Sequence, residues 1–429
     1  MSRVTVVGGG LAGLLAAYRL LGQGHQVVLC ESAPTPGGMI ASVELAGLRV
    51  DSGAEAYATR GGNVAPLMAE LGLEVAGPTG DPFVWWPTGS YPLAGGVLGI
   101  PASLDDPALA ALTVAERAVV ARDADLGPEV GADATTVGEL VAARLGQAVV
   151  DKLVAPLTKG VYASDPARLS LAVAPALLPA LASEGSLMAA VAKVRRPGAP
   201  SVQQPVGGMF RLIDVLAERV VRLGGDLRLA MPVTALAPGT GGGFVVSCGD
   251  GSSIDSDRVV LAAPAAVSLR LLAQLGVEAE VPAVKKARHV MLAVTTPALR
   301  DDPIGSGVLM GTTDPSVRAK ALTHYSAKWP WAREGTDVEV LRVSYPEHVF
   351  PTRGDAVADA SALTGVDIDD ADVVGLASLG WESMPVRIAP ATRDHLLQAA
   401  AGVGVELVGA WLDGNGISTV VAGVERVTR

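Results

Sequence analysis

The chain opens on a β-branched apolar run, Arg3 to Val7, followed by an apolar stretch of good helix formers, Leu11 to Leu21, and a second short apolar run, Gln26 to Leu29. That order predicts strand, helix, strand. Ala41 to Asp51 alternates around Ala46-Gly47 and predicts a hairpin, and Asn63 to Leu71 reads as a helix. "FVWWPTGSYPL", within residues 83–95, predicts a second hairpin turning at Pro87-Thr88-Gly89. From about 105 to 194 the pattern is helical: Thr136 with Glu139 forms a capping box, and Asp165-Pro166 reads as the cap and first position of another helix. "PLTKGVYASDPARLS", Pro156 to Ser170, looks too broken by Gly and Pro for a helix and predicts a shaped loop.

Pro205 to Gly225 carries a strong amphipathic helix ending near Gly224. Strands are expected at Leu227–Leu229, Phe244–Ser247 and Arg258–Ala262, with more in residues 287–345. The chain ends with helix Arg393–Ala401, strand Val405–Trp411, a turn at Asp413 to Gly416 and a helix from Ser418.

Composition narrows the classes. The chain has 429 residues, enough for two or three domains. Hydrophobic residues make up 49% but aromatics only 4%, so the core is expected to be aliphatic. The most apolar stretch, Leu169 to Ala182, is too short for a membrane span and is interrupted by Pro175 and Pro179. A net charge of −11 argues against nucleic-acid binding, which needs phosphate neutralisation. Cys30 and Cys248 are the only cysteines, so a reducing, cytoplasmic setting fits. The five histidines show no metal-ligand spacing.

The chemistry begins in "VTVVGGGLAGLLAAYRLLGQGHQVVLCE". Gly8, Gly10 and Gly13 stand in G-x-G-x-x-G register between strand and helix, with Gly9 among them and Leu11 and Ala12 opening the helix. Gly8 permits a tight turn, Gly10 lets a pyrophosphate approach the backbone, and Gly13 lets helix pack on strand. Glu31, followed by Ser32, ends the second strand where a carboxylate would accept ribose hydroxyls. With Gly37-Gly38 and then a strand pair, rather than an immediate second crossover, this opening resembles the two-dinucleotide-fold flavoproteins, which implies FAD rather than NAD. At the far end, "VELVGAWLDGNGISTVVAG" predicts a strand, a Gly-rich turn and a helix start. In such flavoproteins this element closes the site, so the resemblance implies that amides near Gly416 and Ile417 face the flavin edge that becomes negative on reduction, with Asp413 the candidate for a ribityl hydroxyl.

Taken with "GGMFRLIDVLAERV", "RVVLAAPA", "KALTHYSAKWPWA" and "LVGAWLDGNGI", the string "GVYASDPARLS" resembles the protoporphyrinogen/coproporphyrinogen oxidase family nearly end to end. Its "KWPW" segment is most similar to members acting on coproporphyrinogen III. The resemblance implies a mixed α/β fold: an FAD domain from discontinuous segments (1–80, 196–265, 386–429), a substrate domain (81–104, 266–385) and a helical covering subdomain (105–195). It implies non-covalent FAD, held also by "VDSGAEAY" through Gly53, Ala54, Glu55 and Ala56, by Val233 on the adenine side, by Trp381, and by Asn415 to Ile417 at the pyrimidine end. Gly38 precedes Met39, where relatives often carry a basic residue.

The implied reaction oxidises a porphyrinogen with dioxygen as acceptor, in haem biosynthesis. A protoporphyrinogen oxidase, or another amine oxidase or desaturase, is the alternative, and a flavin-binding scaffold without turnover is a third reading. Cations for a tetracarboxylate would be Arg60, Lys159, Arg168 and Lys328, with Tyr162 lining the pocket; each also reads as an ordinary surface charge or loop-packing side chain. No acid–base residue stands out. The resemblance leaves open a peripheral membrane contact and transient contact with later haem-pathway enzymes.

Overall fold

The computed structural model describes residues 1–161, 164–195, 200–386 and 388–428. The chain forms two compact units, one from Met1–Gly77, Pro200–Ala287 and Gly380–Arg429, the other from Pro78–Ala199 and Arg288–Leu379. Residues 266–287 therefore belong with the dinucleotide-type sheet, and residues 105–195 share a unit with a large sheet instead of standing apart.

The first unit is built on a five-stranded parallel sheet in the order Asp226–Arg228, Gln26–Cys30, Arg3–Val7, Arg258–Leu261, Val405–Leu407. Numbered along the chain, that order is 3-2-1-4-5, so the winding reverses at the first strand. Open sheets of this kind bind ligands where the order reverses, beyond the carboxyl ends of the strands. Both faces are covered, which is why the strands read as continuous apolar runs. Val4 and Val6 point into a core shared with helices Leu11–Gly22, Phe210–Arg222 and Ile417–Val427. Val7 and Cys30 point the other way, towards the antiparallel sheet of Val233–Pro238, Phe244–Cys248 and Ser253–Ser256.

Helix Phe210–Arg222 has no cap of its own. The buried carboxylate of Asp51, far away in sequence, accepts from the amides of Met209 and Phe210, both at 3.0 Å. Its start follows two positive-φ glycines, Gly207 and Gly208, so the helix begins later than the amphipathic pattern suggested.

The second unit carries a seven-stranded mixed sheet, ordered Val373–Pro385, Val284–Val294, Glu339–Tyr345, Ala321–His324, Gly307–Met310, Pro82–Trp86, Gly89–Pro92. Its helical part packs around Leu140, Val141, Leu153 and Val191. Within it, Arg144 and Asp123 form a fully buried pair at 2.7 Å. Arg144 also donates to the carbonyls of Asp123, Gly127 and Gly185, and Asp123 accepts from the amides of Leu187 and Met188, so neither charge lacks compensation.

Two local expectations change here. Residues Ala155–Val161 are helical and continue without a break from Gln147–Val149 through a π-helical stretch, Val150–Val154; that widened turn directly precedes Pro156 and accommodates its ring and missing N–H. Asp165 accepts from the amide of Ala167 at 3.0 Å but closes only a turn, not a helix.

A second buried acid, Glu339, lies beside His324 (3.0 Å), Ser326 and Arg333 (2.6 Å). Burial alone would raise its pKa, but hydrogen bonds from these three hold it down at about 2. A depressed folded-state pKa contributes stability that is complete above about 4.5 and fades as pH falls towards about 2. We expect Glu339→Gln to remove an acid-limb loss on the order of 3 kcal/mol from the unfolding free energy, measured by urea denaturation from pH 7 to pH 2.5. An unchanged pH dependence would contradict the assignment.

Candidate cofactor site

At the carboxyl end of the first parallel strand lies a cavity of about 430 Å³ within the first unit. Its walls bring together Gly8, Gly10, Leu11, Ala12, Glu31, Ser32, Gly38, Met39, Ala54, Val233, Asn415 and Ile417. Two helices begin on its edge, Leu11–Gly22 after Gly10 and Ile417–Val427 after Gly416, and neither has a side-chain cap. Free first-turn amides and the positive end of each helix are thus left for an anion or an electron-rich edge.

The glycines divide their work. A Cβ on Gly13 would lie 1.8 Å from the Gly8 carbonyl, so Gly13 serves the contact of helix on turn. A Cβ on Gly9 would lie 2.8 Å from that of Glu31. Gly10 has open space beside it, its nearest neighbour being the Gly37 carbonyl at 3.8 Å. That opening is a cradle which a side chain would fill. Glu31 accepts from the amides of Gly9 (2.6 Å) and Ala33 (2.7 Å), which fixes its carboxylate at the cavity wall.

The C-terminal turn is held from behind. Asp413 does not line the cavity; its buried carboxylate accepts from Arg393 (3.2 Å), Arg426 (2.9 Å) and the Gly409 amide (3.1 Å). Two guanidiniums and the Gly409 amide thus fix this carboxylate within the turn. Gly423 makes room for it, since a Cβ there would lie 2.2 Å from Asp413 Oδ2. The expected strand Val405–Trp411 stops at Leu407, because positive-φ Gly409 turns the chain into a short helix, Ala410–Asp413. Trp411 Nε1 then donates to Ala263 O at 3.1 Å, and Asn415 Nδ2 to Pro385 O at 2.7 Å.

Trp381 is set against the "VDSGAEAY" loop and donates to Ser52 O at 3.3 Å. It packs on Gly53, where a Cβ would lie 3.0 Å from its ring. Gly53, Glu55, Ala56, Trp381 and Gly416 stand outside the cavity wall itself. Sequence reasoning missed the stretch Ala262–Val267, Arg270, Val281–Val284 and Ser383, all of which line the cavity. The first was within reach: it leaves the strand beside the reversal point.

Cys30 also lines the wall, and burial together with neighbouring Cys248 pushes its thiol up to about 12, leaving it protonated and unreactive. Among the described residues no cluster of His, Cys, Asp or Glu could hold a metal.

Of the substrate candidates, Arg60 and Arg168 are exposed, Lys159 pairs with Asp165 at 3.1 Å, and Lys328 is half-buried near the Trp329 ring. Tyr162 lies outside the described residues.

The glycine contacts yield a contrast. Gly10→Val is expected to fold and melt like the parent yet lose bound FAD, whereas Gly13→Val is expected to destabilise the fold itself. Thermal melts paired with flavin absorbance of the purified proteins check both; full flavin retention by Gly10→Val would refute the cradle.

Comparison with known proteins agrees with this geometry. The family model for flavin-containing amine oxidoreductases matches residues 11–299. The chain is 32% identical to the coproporphyrinogen III oxidase of Mycobacterium leprae, over 98% of this chain and 96% of that protein. It is 25% identical to the coproporphyrinogen III oxidase of Bacillus subtilis, over 87% and 81%. A solved Exiguobacterium sp. 255-15 structure superposes with a TM-score of 0.80 at 23% identity, covering 99% of this chain and 97% of that one, a likeness of fold. By sequence match, fold and cofactor cavity, the chain belongs to the flavin-containing amine oxidoreductase family, in its protoporphyrinogen/coproporphyrinogen oxidase branch.

Proposed function

We propose that the protein is an FAD-dependent coproporphyrinogen III oxidase that forms coproporphyrin III with dioxygen as acceptor, in haem biosynthesis. The observation that carries this reading is the near full-length 32% identity to coproporphyrinogen III oxidases. The cavity is the physical support, because its residues fit FAD. Amides at Gly10, Leu11 and Ala12 would hold the pyrophosphate, Glu31 the ribose, the backbone of Val233 the adenine, and Asn415 to Ile417 the pyrimidine edge of the ring. Met39 supplies no charge, so among the described residues the pyrophosphate would rest on backbone amides and the helix dipole.

Bound flavin supplies the two-electron redox chemistry, and the protein supplies orientation and a dry environment. The charged side chains on the cavity wall are Glu31 and Arg270, among the described residues. Both serve the nucleotide end, so no side-chain acid or base on that wall accompanies the ring. Substrate carboxylates would be met by cations such as Arg60, Lys159, Arg168 and Lys328. No helix among the described residues is long and apolar enough to cross a membrane.

Aerobic incubation with coproporphyrinogen III should raise porphyrin fluorescence well above the autoxidation blank, and faster than with protoporphyrinogen IX. Preference for protoporphyrinogen IX would move the assignment to the sister activity. No porphyrin from either would defeat the reading and favour another amine-oxidase substrate.

A further inference from the structure

The nucleotide end of the cavity is built by a strand that begins irregularly. Pairing between Val233–Pro238 and Phe244–Cys248 slips between Val233 and Ala235, so Thr234 is left out of the ladder. A bulge of this kind turns carbonyls away from the partner strand. Those carbonyls meet one side chain: Arg270 donates to Thr234 O at 2.8 Å and to Val233 O at 3.3 Å. The helix carrying it, Ala265–Ala273, is itself fixed twice more. Ser268 donates to Ala263 O at 2.9 Å, and Gln274, just past its end, accepts from the Leu236 amide at 2.8 Å.

Glu31 marks where a ribose would sit, and its carbonyl accepts from the Met231 amide at 2.8 Å, so Pro232 and Val233 lie next along the wall. The neighbouring lining is apolar: Ala265, Val267, Val281, Pro282 and Val284. Among the described residues Arg270 is thus the only cation on the cavity wall, and its donors go to the Val233 and Thr234 carbonyls and not to the glycine cradle.

We infer that Arg270 is a positioning residue for the nucleotide base, making the site select a dinucleotide flavin over the mononucleotide. It clamps the bulged start of the strand so that the backbone of Val233 presents a fixed edge to a purine, the Pro232 carbonyl being already taken by the Gly249 amide at 2.8 Å. A guanidinium suits the task because its planar fork donates to two carbonyls at once, which an ammonium cannot do with the same geometry. This inference rests on the FAD reading.

The test measures dissociation constants of FAD, FMN and AMP for the full chain stripped of flavin, by quenching of flavin fluorescence and by AMP competition. Arg270→Leu should weaken FAD and AMP about ten-fold while leaving FMN unchanged, and Arg270→Lys should recover part of the loss. Equal weakening of FAD and FMN would reduce Arg270 to a general structural role and overturn the inference, as would no change for FAD. If the parent protein binds FMN as tightly as FAD and does not bind AMP, the dinucleotide reading itself fails, which is a separate outcome. A melting curve for each variant, with Arg270→Gln as a second neutral replacement, keeps folding loss from passing as a binding effect.

Discussion

The site depends on one close approach of backbone to backbone. The first helix begins so near the first strand that a single Cβ at Gly13 would strike the Gly8 carbonyl at 1.8 Å. That contact points the helix start at the reversal in strand order and leaves its amides uncapped. Everything the cavity can do for a pyrophosphate follows from those amides, because Met39 follows Gly38 and the one cation on the wall among the described residues, Arg270, donates to main-chain carbonyls. A helix terminus offers fixed partial charge without the desolvation cost of burying a full cation.

Charge is used instead behind the site, to hold backbone. Asp51 caps the helix Phe210–Arg222 from a distant strand, and Asp413 ties Gly409 to Arg393 and Arg426. Both carboxylates are buried and both hold segments that reach or support the cavity wall. The same holds at the bulged strand Val233–Pro238, where Arg270 donates to main-chain carbonyls. The wall facing the cofactor is left apolar and almost uncharged, as expected where the reactive chemistry belongs to the cofactor.

How much of this was legible in the sequence follows from the range of the interactions. The glycine turn, Glu31 and the apolar strand runs are local signals, and they located the sheet and most of the cradle. Asp413 is legible as part of the turn, but its partners Arg393 and Arg426 are not, because they reach it only through tertiary structure. Pro156 reads as a breaker in the sequence, but the π-helical turn Val150–Val154 just before it lets the helix run through. Arg270 carried no signal at all, since its role requires a bulge in a strand that the apolar pattern did not reveal. The substrate cations stay in the same position: exposed or paired side chains whose meaning depends on a ligand.

The central claim is that this cavity holds flavin able to take electrons from a porphyrinogen. Rapid anaerobic mixing of the flavin-loaded protein with coproporphyrinogen III tests it without any contribution from dioxygen. The account predicts bleaching of the oxidised flavin band at a rate that saturates with porphyrinogen concentration. A flavin band that persists unchanged at high porphyrinogen concentration would contradict it.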